Sequence, residues 1–203
     1  MMTGAELLQG VSERVLLRFL RTTGHGDARI ASRERGVTTG AGIDLAYSAG
    51  GKAVTIKVKP DPYFGTNPMK IQERALAFYR PDAGHYAFEA ISNSLTREPG
   101  WMFSSSADQL FYYFIVLDQT EHEISALYEE SDEIFFSELR IERDELRILP
   151  MDKLRNWFES NFEAYTPRPV TQGDHSAWFR LIPRADIEDA IGDAKTVAPV
   201  FFR

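Results

Sequence analysis

The chain has 203 residues, 43% hydrophobic and 26% charged, with a formal net charge of −7, and this length can bury one sizeable core without staples or a partner. It has no cysteine, which excludes a disulfide framework and a thiolate zinc site, and the four histidines, His25, His85, His122 and His175, show no ligand spacing. The acidic balance argues against coating nucleic acid through overall charge, since non-specific affinity comes mainly from neutralised phosphates, but it leaves room for a local basic site.

Residues 5–20 place Leu7, Leu8, Val11, Val15 and Leu16 on one helical face, which predicts an amphipathic helix. Glu6, Gln9, Glu13 and Arg14 interrupt that apolar face, so the segment does not read as a signal peptide. Gly24 and Gly26 end the helix. Residues 28–37 suggest a first strand, and Gly36, Gly40 and Gly42 then lead into a short strand, Ile43 to Tyr47. Gly50-Gly51 reads as a hairpin turn. Beyond it, residues 53–59 alternate cleanly, with Val54, Ile56 and Val58 pointing one way and Thr55, Lys57 and Lys59 the other.

Pro60 and Pro62 are expected to stop this strand, and a helix is expected over 71–79 within a long connection. A strand follows at 85–92, then an irregular loop through Trp101. One of Ser104, Ser105 and Ser106 is expected to cap a short helix, with Asp108 capping the next segment. The run from Leu110 to Leu117 is aromatic and β-branched, as in a buried strand; it is the longest apolar run and falls well short of the roughly 18 residues a spanning helix needs. The expectation is therefore a cytoplasmic protein with no membrane partner. Residues 134–149 suggest two strands, so that the acidic stretch from Glu129 to Glu145 reads as a solvated hairpin. The closing elements are a helix over 151–162, a strand over 177–182 and a helix over 184–191. Helices and strands in this order indicate one α/β (α+β) domain, 1–203, around a central mixed sheet flanked by helices.

The segment GIDLAYSAGGKAVTIKVKPD sets an Asp before a hairpin turn and two lysines, two positions apart, on the strand after it. In this it resembles the paired motif of the PD-(D/E)XK nuclease-like superfamily, and HYAFEAISNSLTREPGW resembles its continuation. The likeness covers residues 5–120, with 121–203 completing the fold, and it implies a restriction-endonuclease-like architecture. It also implies an Mg²⁺-dependent phosphodiesterase acting on DNA. In such a site carboxylates on adjacent strands hold the hard cation, which activates water and neutralises charge on the phosphate.

By this resemblance Asp44 is the first carboxylate and Lys59 the catalytic lysine. The departure is at Lys57, where the family carries an acid. Two ammonium groups roughly 7 Å apart on one strand face disfavour a divalent ion between them. Glu89 could supply a replacement carboxylate if its strand pairs beside that of Lys57, and Glu13 on the first helix is a further metal-ligand candidate. Lys57, Arg33 and Arg35 are candidate phosphate contacts. The alternative is a catalytically inactive nucleic-acid-binding or protein-interaction module on the same fold, and a homodimer is compatible with either reading. Against both stands the commoner fate of such residues: Asp44 as a turn cap, Lys57 and Lys59 as a solvated strand face, and Trp101 packed in the core.

Overall fold

The computed structural model describes residues 3–31, 42–62 and 84–202. The helix expected at 71–79 and the arginines Arg33 and Arg35 lie outside these ranges. In chain order the elements are α1 (Gly4–Thr22), β1 (Arg29–Ile30), β2 (Leu45–Ala49), β3 (Lys52–Asp61), β4 (His85–Asn93), β5 (Glu98–Pro99), α2 (Trp101–Ser104), β6 (Gln109–Leu117), α3 (Glu121–Tyr128), α4 (Asp132–Glu138), β7 (Ile141–Pro150), α5 (Met151–Asn161), β8 (Pro167–Gln172), β9 (His175–Pro183), α6 (Arg184–Ile191) and β10 (Lys195–Val197).

Two sheets form. The larger has the order β1-β2-β3-β6-β7-β10 and the smaller β5-β4-β9-β8. The larger is mixed, because β3 and β6 run parallel while its other neighbours are antiparallel. Strand β6 lies in its middle, and alternation sends its side chains into two different cores. Phe111, Tyr113 and Ile115 join Ile56, Val58, Leu146 and the α1 stripe of Leu7, Val11, Val15 and Leu16. Leu110, Tyr112 and Phe114 join an aromatic core with Tyr86 and Phe88 of β4, Ile182 of β9, and Leu154 and Phe158 of α5. A strand buried on both faces has no polar side to show, which is why its sequence is a continuous apolar run.

Local chemistry sets the element ends. Thr3 and Glu6 form a reciprocal capping box at the start of α1, and Thr120 and Glu123 do the same at α3. Gly50 and Gly51, both with positive φ, turn β2 into β3. At Gly100 a Cβ would come within 2.3 Å of the Glu89 carbonyl oxygen, so only glycine lets the chain cross β4 this closely before α2.

The structure corrects several expectations. Strand β3 does not stop at Pro60 but runs through it to Asp61. The short helix ends in the serines rather than starting after them, with Ser104 its last residue and Ser105 at its C-terminal end. Asp108 stands directly before β6, and its carboxylate accepts the Thr55 N–H and hydroxyl, at 2.8 and 2.7 Å, holding the start of β6 to β3. Residues 129–145 are not a hairpin, since α4 occupies the place of the first expected strand and β7 that of the second. Strands β8 and β10 were not legible as strands. Among the described residues no helix is long and apolar enough to cross a membrane.

Candidate functional site

Asp44 and Lys57 meet where β3 outruns its neighbour β2. Pairing between these strands ends at Leu45–Ile56, yet β3 continues for five residues, held on its other side by β6. Backbone groups alternate between strand edges, so Val58 and Pro60 turn theirs to the side that β2 has vacated. Side chains replace the missing ladder. Asp44, just before β2, accepts the Val58 N–H at 2.6 Å, and Gln9 of α1 donates to the Val58 carbonyl at 3.4 Å. Pro60 has no N–H to satisfy, which suits it to this uncovered edge.

The Asp44 carboxylate has a second partner. Lys57 Nζ lies 3.0 Å from the same oxygen that accepts the Val58 N–H, and the two side chains are only 17% and 13% exposed. This is neither a solvated face nor a simple turn cap, but a largely buried ion pair between Asp44 and Lys57.

Two residues further on, Lys59 shares the strand face but not the arrangement. In the parallel register Lys57, Lys59 and Asp61 lie beside Leu110, Tyr112 and Phe114, so all three point to the side of the aromatic core. Lys59 makes no hydrogen bond or ion pair among the described residues; its ammonium lies 5.8 Å from the Phe179 ring centroid. Burial pushes this ammonium below its usual range. The charges of Asp61 and Glu89 oppose the shift, and Lys57 adds to it. Asp61, a buried carboxylate that sequence reasoning missed, accepts the Tyr112 hydroxyl at 2.6 Å, and the same phenol oxygen accepts the Ala87 N–H at 2.9 Å. The alternation that paired Lys57 with Lys59 would have reached Asp61 in one more step, had Pro60 not been read as the strand's end.

Glu89 does not come from a strand beside β3. It belongs to β4 in the smaller sheet, and Trp101 donates its N–H to the Glu89 carboxylate at 3.1 Å. Burial raises the Glu89 carboxyl above its usual range, against the pull of that hydrogen bond and of Lys59 and Lys57. Trp101 itself packs edge-on against Phe88 at 5.7 Å, as a core aromatic. Glu13 is buried on α1 and accepts from Gln9 at 2.8 Å.

Among the described residues no three His, Asp or Glu side chains gather in a group that could hold a metal ion. The donor set does not fit Mg²⁺. One oxygen of Asp44 is committed to an ammonium and a backbone amide, the 57 position carries a cation, and Glu89, on the smaller sheet, accepts the Trp101 amide at the start of α2. Arg29 lies on β1 opposite Ala46. No family model, no curated protein and no solved structure matches the chain.

Proposed function

We propose that this chain is a nuclease-like scaffold of the PD-(D/E)XK pattern in which Lys57 stands in for the divalent cation, and that it binds nucleic-acid phosphate without hydrolysing it. The observation that carries the reading is the 3.0 Å contact from Lys57 Nζ to Asp44. An ammonium there supplies the positive charge that a metal would bring, without a coordination sphere that could activate water. It also keeps further N–H donors for a phosphate oxygen. The mixed sheet supports the fold part of the reading, because it sets Asp44 at the head of one strand and the Lys57–Lys59 pair on its antiparallel neighbour, which is the juxtaposition the motif requires.

The test joins binding to cleavage. Short duplex DNA should bind in EDTA, with an affinity that falls steeply as salt rises, and a supercoiled plasmid should stay intact with Mg²⁺ or Mn²⁺. Metal-dependent nicking that disappears in Asp44→Ala would overturn the proposal, as would no binding at low salt. Lys57→Glu probes the scaffold directly: metal binding by calorimetry in this variant alone would show that the lysine had displaced the ion.

A second reading, a protein-interaction module, is favoured by a groove of about 1000 Å³ between α1 and α4, whose lining mixes Arg18, Arg21, Glu129 and Glu133 with Leu17 and Phe136.

A further inference from the structure

The phosphate-binding reading leaves the surroundings of Lys59 unused. A cavity of about 420 Å³ opens where the first turns of α1 meet the end of β3, with β4, β8 and β9 closing it. Leu8, Pro62 and Phe179 make its apolar wall, and Lys59, Asp61 and Gln9 its polar side. Lys59 is the one of these polar groups whose charge is left without a hydrogen bond or ion pair among the described residues. A primary amine that reaches an apolar cavity beside another cation is the setting in which lysines act as nucleophiles. Here the second cation is Lys57, two positions back on the same strand face and held in place by Asp44.

We propose that this cavity receives a small aldehyde or ketone and that Lys59 Nζ forms a Schiff base with it. The nitrogen lone pair attacks the carbonyl carbon, and the π pair moves to oxygen, which takes up a proton to give a carbinolamine. The hydroxyl leaves as water after a second protonation while nitrogen loses its remaining protons in excess of the neutral imine. One C–N double bond forms, one C–O double bond is lost, one water is released, and no oxidant or reductant is needed. The charged and titratable groups around the amine are Lys57, Asp61, Glu89 and Tyr112. Asp61 is held by the Tyr112 hydroxyl. The Glu89 carboxyl, which burial raises, acts on the Lys59 ammonium through its charge.

The inference does not rest on nucleic-acid binding, and it holds or fails separately. The test is reductive trapping of the full chain with butanal and cyanoborohydride at neutral pH, with alkylation read lysine by lysine by peptide mass spectrometry. Exposed Lys52 on the same strand is the internal reference. Lys59 should be alkylated several-fold faster than Lys52, since a lowered pKa leaves more free amine at neutral pH, and its rate should level off at a lower pH. Equal or slower labelling at Lys59, or parallel pH profiles, would overturn the proposal. Because both rates come from one sample of the unaltered chain, the comparison does not depend on a variant that folds. As a control, Lys59→Arg should remove the fast site and leave Lys52 labelling unchanged.

Discussion

Lys57 and Lys59 sit two residues apart on the same strand and the same face, yet their surroundings oppose each other. Lys57 lies at the seam between β2 and β3, where the chain has just left its ladder and a carboxylate is needed to cap Val58; that carboxylate serves as its counterion. Lys59 lies past the seam, between the two sheets, with the Phe179 ring centroid 5.8 Å from its ammonium and no hydrogen bond or ion pair among the described residues. The lesson is that a motif's residues take their chemistry from which edge of the sheet they occupy. A buried ion pair holds the local structure together as long as both members are present, whereas a half-buried ammonium with no hydrogen bond or ion pair among the described residues is a cost that favours a use for the group.

The contrast can be broken most forcefully at Asp44. Asp44→Ala strips Lys57 of its counterion and Val58 of its acceptor in one step, and it should lower the unfolding free energy by about 3–5 kcal/mol, read from urea denaturation. A loss below about 1 kcal/mol would mean that the pair behaves as a surface salt bridge.

The opposite sign is expected at Lys59. Lys59→Met keeps the aliphatic stem and removes a charge with no hydrogen bond or ion pair among the described residues, so stability should rise by about 1–2 kcal/mol, read on the same curves. A loss of that size would show the ammonium to be paired in solution.

The smallest effect is in pH dependence. The Lys59 pKa is lowered from 10.5, so the unfolded chain binds more protons between the folded value and 10.5, and stability rises with pH across that window. The Glu89 pKa is raised from 4.5, so the folded chain binds more protons just above 4.5, and its contribution falls as pH climbs through the raised value. Lys59→Met should flatten the alkaline rise and leave the acidic fall in place. An unchanged alkaline slope, measured by thermal melts across pH, would assign that rise to another group.

Much of the framework was legible along the chain because it depends on short-range rules. The α1 stripe, the Gly50-Gly51 turn, the β3 alternation and the apolar run of β6 each follow from periodicity within one segment. The errors share a cause. Residues 129–145 were read as strands because Ile134, Phe135 and Phe136 are β-favouring types, but Ser131 caps a helix there and Phe135 is buried by packing under α1, so tertiary contact overrode propensity. The Pro60 error came from treating proline as a stop. At an edge whose neighbour has already left, a missing N–H costs nothing.

The sequence by itself determined the order Asp44, hairpin, Lys57, Lys59, and the fact that the two lysines share a face, since turn chemistry and a period of two are local properties. Only the tertiary structure decided what those residues meet. The early end of β2 gave Asp44 to Lys57, the smaller sheet carried Glu89 to the Trp101 amide, and the packing of α1 and β9 around the end of β3 left Lys59 facing a cavity. Charge pairing and burial are set by which segments distant in sequence come within a few ångströms of each other, and no periodicity within a single segment encodes that.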